Sequence, residues 1–115
     1  RTKSEPENLK EKYKDLDILD WGKSCDFNIV INATSLGLNK KDKINLDFDK
    51  TNSNKVFYDV IYSPKKTNFL QEGQKFGNKI SNGMKMFIYQ AQLSFNIWHN
   101  IMPDVDEEVI NFLEK

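Results

Sequence analysis

Apolar residues along the chain follow two different spacings, and each spacing predicts one type of element. Short runs rich in β-branched and aromatic residues at 27–31 and 56–62 are typical of buried strands, and 79–80 fits a third, shorter strand. Apolar residues at helical spacing predict helices over 4–14, 67–76, 83–98 and 104–113. The segments between them are mixed or polar, and the longest, 38–54, predicts a loop of the length that is often functional.

Three predicted helix ends carry residues that suit them. Ser4 with Glu7, and Asp104 with Glu107, have the spacing of a capping box at a helix start. Gly77 has the position of a helix C-cap. Local chemistry therefore supports the start of the first helix, the end of the second and the start of the last.

Strands alternate with helices, and this order predicts an α/β fold with a parallel sheet. The connections are long enough for the crossovers that parallel strands need. Ligands of such sheets bind beyond the carboxyl ends of the strands. Here those strand exits are 32–35 and 62–64, and both contain groups that can hydrogen-bond a ligand. The sequence therefore predicts a ligand site at this edge of the sheet.

The helix predicted over 83–98 carries two apolar stripes, whereas a surface helix of a small domain needs only one. The first stripe consists of Met84, Phe87, Ile88, Ala91, Phe95 and Trp98. The second consists of Met86, Leu93 and Ile97, with Gln90 as its only polar member. We expect the first stripe to pack on the sheet and the second to need a separate cover.

Composition narrows the class of protein only slightly. With 115 residues, 38% hydrophobic and 30% charged, the chain has the size and composition of one globular domain. The 17 basic and 17 acidic residues give no indication of a nucleic-acid partner. The long helix is interrupted by polar residues, so no membrane span is predicted. The lysine clusters at 40–43 and 65–66 are expected to be solvated loops.

Candidate chemistry is sparse. Cys25 is the single cysteine, which favours a cytosolic setting and predicts a buried, inert thiol. His99 is the single histidine, so a metal site with two histidines is excluded, and its position near a helix end favours a capping or surface role. The five glycines form neither a dinucleotide-binding fingerprint nor a P-loop.

Three motifs together resemble the shikimate dehydrogenase family. They are Ile31-Asn32-Ala33-Thr34-Ser35-Leu36-Gly37, Tyr58-Asp59-Val60-Ile61-Tyr62 and Asn82-Gly83-Met84-Lys85-Met86-Phe87-Ile88-Tyr89-Gln90-Ala91. Their order and spacing, and the Pro103-Asp104 that follows, are also similar to that family. The resemblance covers essentially the whole chain. It implies an α/β fold: the C-terminal part of a Rossmann-like NAD(P)-binding domain, a parallel sheet with flanking helices, plus C-terminal helices.

The resemblance implies an NADP-dependent cytoplasmic enzyme that reversibly reduces 3-dehydroshikimate to shikimate in chorismate and aromatic amino acid biosynthesis. The start at Arg1-Thr2 looks like the end of the family's Asn-Arg-Thr motif, so we expect a fragment of a longer protein. Residues 1–115 would then be a partial NADP-binding domain with C-terminal helices. The Gly-rich loop and the N-terminal substrate domain of the same parent chain, with its catalytic Lys/Asp pair, would lie upstream. We expect no dehydrogenase activity from this chain alone.

The resemblance also implies cofactor-binding positions. Arg1 matches the arginine that pairs with the 2′-phosphate of NADP, for which a guanidinium fork is suited, and Thr2 would add a donor. The loop 32–35 matches a loop near the adenosine and the nicotinamide-side ribose, and three further positions approach the nicotinamide. The full set is Arg1, Thr2, Asn32, Ala33, Thr34, Ser35, Val60, Gly83 and Met86.

Two positions are implied for the substrate. Tyr62 matches the tyrosine whose phenol reaches the shikimate carboxylate, and Gln90 matches the glutamine that hydrogen-bonds a substrate hydroxyl. Met86 and Gln90 are one helical turn apart, so both are expected to point the same way. Glu5 and Lys85 depart from the family, which has a second basic residue and a second glycine at these positions.

Two alternatives remain open. Glu5 weakens the expected phosphate clamp, which leaves room for a quinate/shikimate dehydrogenase that uses NAD. A non-catalytic nucleotide-binding or interaction module with the same fold is the other. Without the first two strands that the resemblance implies upstream, the sheet would have an unpaired edge and the second stripe would lack its cover. We therefore expect the chain to be marginally stable or to associate, a homodimer included.

Overall fold

The computed structural model describes residues 4–23, 25–47 and 53–113. Three strands lie in this part of the chain: β1 Ile29–Asn32, β2 Val56–Asp59 and β3 Lys79–Ser81. Its helices are α1 Ser4–Lys12, α2 Asn68–Lys75, α3 Met84–His99 and α4 Glu107–Leu113. The predicted α/β class is confirmed, with a predicted element at each of these places.

The strands form a parallel sheet in the order β1-β2-β3. Asn32 lies opposite Asp59, and Tyr58 lies opposite Ser81. All three strands therefore end at the same edge, and α2 makes the crossover from β2 to β3. This is the arrangement that the alternation of strands and helices predicts.

Phe57, Phe69 and Leu70 form the buried core between the sheet and α2. The Phe57 and Phe69 rings are tilted against each other with centroids 5.1 Å apart. Gly73 lets the helix come this close, because a Cβ at that position would lie 2.5 Å from Cγ of Phe57. Burying each of these large side chains contributes about 1.5–3 kcal/mol, so this cluster stabilises the packing of α2 on the sheet.

Hydrogen bonds at two helix ends explain where the helices begin and stop. Thr67 is the N-cap of α2 and accepts a hydrogen bond from the Leu70 amide, and Gly77 follows the helix with φ of 75°. The cap of α4 is Asp106, whose Oδ1 accepts from the Val109 amide at 2.9 Å. The prediction of Asp104 as this cap is therefore wrong. Both aspartates precede the helix, and spacing alone does not choose between them.

The strand predicted over 56–62 is shorter than expected. It ends at Asp59, because Oδ1 of that side chain accepts the Ile61 amide at 3.0 Å and turns the backbone out of the sheet. In the loop predicted over 38–54, the described residues 38–47 form neither a helix nor a strand, and 48–52 lie outside the description. The side chain of Ser4, and with it the first predicted capping box, also lies outside the described structure.

Two burial predictions are wrong. Cys25 is exposed, since it lies in the irregular segment before β1. Only the first turns of the first α3 stripe are buried, at Met84 and Ile88, whereas Phe95 and Trp98 are 41% and 76% exposed. The second half of α3 therefore extends beyond the part of the sheet that the structure describes.

Within the described residues, no helix has both the length and the apolar character needed to cross a membrane.

Candidate functional site

The carboxyl edge of the sheet is organised by the paired residues that end β1 and β2. Asn32 is 3% exposed and Asp59 is completely buried. Nδ2 of Asn32 donates to Oδ1 of Asp59 at 3.1 Å. Two polar side chains are thus buried at the edge where parallel sheets bind ligands, and they hydrogen-bond to each other.

Hydrogen bonds made by the Asn32 side chain fix the conformation of the loop that follows β1. Oδ1 of Asn32 accepts the amide and the hydroxyl of Thr34, at 3.1 and 2.7 Å, while Nδ2 donates to the Leu36 carbonyl. Oγ1 of Thr34 then accepts the Leu36 amide at 3.1 Å. The side chains of Asn32 and Thr34 are therefore engaged within the loop, whereas Ala33 and Ser35 are exposed.

A second anchor holds the far end of this loop. Oδ2 of Asp42 accepts the backbone amides of Gly37 and Asn39, both at 3.1 Å. The hydrogen bond from the Asn39 amide has the largest effect and the one from the Gly37 amide the next largest. Both lower the pKa of the Asp42 carboxyl below its ordinary 3.8. The loop from β1 is thus fixed at both ends by side chains that accept backbone amides.

The start of α3 sits directly on the segment that leaves β2. The Gly83 amide donates to the Ile61 carbonyl at 3.2 Å. A Cβ at Gly83 would lie 2.0 Å from the Val60 carbonyl oxygen, so only glycine permits this contact. Asn82 completes the junction, since its Oδ1 accepts the Met84 amide and its Nδ2 donates to the Lys65 carbonyl.

Beyond this junction, α3 presents side chains to solvent. The Tyr62 ring stacks on Phe87, with centroids 4.6 Å apart and planes 25° apart, and Tyr62 remains 37% exposed. Met86 is 47% exposed, and Gln90, one turn later, is exposed with Nε2 donating to the Phe87 carbonyl. The contacts thus bring Val60, Tyr62 and Gly83 to one junction, with Met86 and Gln90 on the helix that starts there.

Other predicted positions have different outcomes. Arg1 and Thr2 lie outside the described residues, so their proposed phosphate role stays a prediction. Glu5 is exposed on α1. Lys85 is exposed and lines a cavity of about 250 Å³ with Lys65 and Ser81, among others. His99 is exposed at the end of α3, where its ring packs against Phe95 at 4.4 Å, so its predicted surface position is confirmed.

The sequence did not predict that Asp59 and Thr67 pair at this edge. Oδ2 of Asp59 accepts the Thr67 hydroxyl at 2.6 Å, and Thr67 is only 2% exposed. One signal was present, because an aspartate inside the apolar run 56–62 must find hydrogen-bond donors if that run is buried. The partner could not be identified, since Thr67 lies eight residues further along the chain.

A parallel sheet with a crossover helix, two shaped loops at its carboxyl edge and a helix start seated on one of them define a Rossmann-like α/β domain. A family model described as the Shikimate 5'-dehydrogenase C-terminal domain matches residues 83–107. The shikimate dehydrogenase (NADP(+)) of Pelagibacter ubique is 48% identical over 114 residues, which cover 99% of this chain and 43% of that protein.

Solved structures support the same assignment. A crystal structure of shikimate dehydrogenase from Aquifex aeolicus aligns with a TM-score of 0.77 and 25% identity, covering 97% of this chain and 41% of that one. A shikimate dehydrogenase in complex with NADP+ aligns with a TM-score of 0.64 and 33% identity, covering 74% of this chain and 30% of that one. The chain belongs to the shikimate dehydrogenase family and corresponds to the C-terminal part of that enzyme. It spans less than half the length of these relatives.

Proposed function

We propose that this chain is the cofactor-binding portion of an NADP-dependent shikimate dehydrogenase, which reversibly reduces 3-dehydroshikimate to shikimate. The observation that carries the proposal is the junction at the carboxyl edge, where the start of α3 rests on the backbone leaving β2. The names of the relatives and the complex with NADP+ support it. The substrate domain, the Gly-rich loop and the Lys/Asp pair are proposed to belong to the part of the enzyme that this chain does not cover.

The residues at the junction suit a nicotinamide nucleotide. Gly83 lets the start of α3 lie directly on the Val60 carbonyl, and Met86 offers a polarisable, half-exposed side chain against which a flat ring can pack. Val60 would contribute its backbone, and the exposed Ala33 and Ser35 would lie along the ribose side of the nucleotide. When bound, the cofactor supplies the hydride chemistry, and this chain supplies its position.

Arg1 and Thr2 are the proposed 2′-phosphate contacts, and they complete the cofactor set together with Asn32 and Thr34. For Asn32 and Thr34 we propose an indirect part, because their side chains hydrogen-bond within the loop. We propose that the loop is preformed for the nucleotide and presents its backbone, Ala33 and Ser35. Preference for NADP over NAD would then depend on Arg1.

Tyr62 and Gln90 are the proposed substrate residues. Shikimate carries a carboxylate and several hydroxyls, which a phenol and a carboxamide can hydrogen-bond. The stacking of Tyr62 on Phe87 restricts where the phenol can point. Gln90 hydrogen-bonds to its own helix in the structure, and this single exposed hydrogen bond is easily exchanged for one to a substrate.

We propose that the enzyme is located in the cytoplasm and assembles as a homodimer.

The proposal can be tested with a chimera in which this chain replaces the corresponding part of the Pelagibacter ubique enzyme. We expect the chimera to oxidise shikimate with NADP+, measured by NADPH absorbance, and this chain alone to show no activity. Replacing Gln90 with Ala should raise KM for shikimate about tenfold, because one substrate hydrogen bond is lost.

Gln92→Ala is the matched control. Gln92 lies on the same helix, but its Nε2 donates to the Pro103 carbonyl at 2.7 Å, away from the proposed site. It should leave KM for shikimate unchanged. A folded chimera without activity would refute the proposal, and equal effects of the two variants would remove Gln90 from the substrate site.

A further inference from the structure

Asp59 lies behind the proposed site and joins the segments that form it. Its carboxylate accepts hydrogen bonds from three segments: Nδ2 of Asn32 at the end of β1, the Ile61 amide after β2 and Oγ1 of Thr67 at the start of α2. With no exposed surface, the carboxylate contacts neither solvent nor a ligand at this edge. Its effect on the site can only be exerted through the groups that it holds.

All three donors are electrically neutral, and each has a defined proton to give. Oγ1 of Thr67 already accepts the Leu70 amide, so its own hydrogen points to Oδ2 of Asp59. The start of α2 adds the favourable end of a helix dipole to the same carboxylate. The two carboxylate oxygens of Asp59 therefore serve as acceptors for each of these three donors.

The segments held by Asp59 are the ones that carry the proposed cofactor residues. Through Asn32 it fixes the loop 32–36, and through Ile61 it fixes the backbone on which Gly83 and the start of α3 rest. A loss of these bonds would move the two sides of the proposed nucleotide site relative to each other. Displacements of about 1 Å at such sites cost large factors in rate.

We propose that Asp59, together with Thr67, is a positioning residue that sets the spacing between the loop after β1 and the start of α3, and so controls cofactor binding. The inference rests on the proposed function in one respect, namely that this edge binds NADP. The structural part, that Asp59 holds both segments in register, can be tested without any ligand.

The first test is Asp59→Asn in the 115-residue chain, followed by amide NMR. The amide nitrogen introduced at residue 59 cannot accept a hydrogen bond from the Thr67 hydroxyl, so one of the three hydrogen bonds to this side chain is lost. We expect shifts in the amide signals of Thr34, Ile61 and Gly83. Asp42→Asn is the matched control for the Ile61 and Gly83 signals, because Asp42 also accepts two backbone amides, but both belong to the loop after β1. Unchanged signals at these three residues in Asp59→Asn would overturn the inference.

The second test separates positioning from simple loss of folded protein. In the chimera with the Pelagibacter ubique enzyme, Asp59→Asn should raise KM for NADP+ about tenfold, since a misplaced site binds the cofactor less well. A variant that is merely less stable would lower kcat and leave KM unchanged, and that result would overturn the inference.

The Thr67 variants provide a conservative rescue. Thr67→Val removes the donor to Asp59 and should also raise KM for NADP+, whereas Thr67→Ser keeps the hydroxyl and should remain within about twofold of the original chimera. Equal KM values in Thr67→Val and Thr67→Ser would contradict the role of this hydrogen bond. If the unchanged chimera is inactive while the NMR shifts occur, the proposed function fails and the structural role of Asp59 stands.

Discussion

At the scale of single residues, side chains of one chemical type have different roles at this edge because their neighbours differ. Asn32 and Asn82 both organise turns, but Asn32 is buried against Asp59, whereas Asn82 ties the start of α3 to the Lys65 carbonyl. Gly83 shows the same dependence on context. Its resemblance to a nicotinamide-contacting glycine and its contact with the Val60 carbonyl both require the absence of a side chain.

Gly83→Ala tests the structural requirement directly. The new Cβ would lie 2.0 Å from the Val60 carbonyl oxygen, and backbone cannot move aside as a flexible side chain can. We expect the free energy of unfolding to fall by about 1–3 kcal/mol or more, as for other overpacked positions. Urea unfolding of the chain, followed by circular dichroism, measures this change.

Gly77→Ala is a useful comparison for Gly83→Ala. Gly77 has φ of 75°, but its nearest neighbour would be 3.7 Å from a Cβ, so only backbone strain applies. That strain costs about 1–2 kcal/mol. A Gly83→Ala variant as stable as the original chain would show that the junction with Val60 adjusts freely.

At the scale of elements, the sequence predicted the order and type of the helices and strands well, since each element has strong apolar spacing. It predicted the limits of β2 poorly, because the turn at Asp59 depends on a side chain that accepts the Ile61 amide. The exposure of Cys25 could not be predicted either, because it depends on what packs against an irregular segment. The same holds for the Asp59–Thr67 pair, whose members are separate in sequence.

The two faces of α3 make a prediction about this helix. Ile88 is 4% exposed, whereas Ile97 on the second stripe is 80% exposed. Ile88→Ala should lower the free energy of unfolding by about 2–5 kcal/mol, because buried contacts are lost and a cavity remains. Ile97→Ala should change it by less than about 0.5 kcal/mol. Chemical unfolding of both variants measures the difference, and similar losses at the two positions would contradict the assigned packing of α3.

At the scale of the whole molecule, the chain is open for its size. Its radius of gyration is 16.9 Å, whereas about 13 Å is typical of a compact domain of this length. Its accessible surface is 9205 Å², compared with about 6,500 Å² for a compact monomer of 13.5 kDa. Part of the excess is apolar, with Ile97, Trp98 and Phe112 each at least 70% exposed. Such a surface is normally covered in the functional state.

This surface predicts that the purified chain associates. Burying exposed apolar area is favourable at about 25 cal/mol per Å², so copies of the chain should cover each other's α3 when nothing else does. Size-exclusion chromatography with light scattering should give a mass above 13.5 kDa that rises with concentration. Replacing Leu93 and Ile97 with Glu should shift the sample towards monomer, because charge in place of apolar surface opposes this contact. As a control, replacing Asn8 and Gln71 with Glu adds the same charge at exposed polar positions and should leave association unchanged. A monomeric chain that melts cooperatively would show that the sheet and α2 alone suffice for a stable fold.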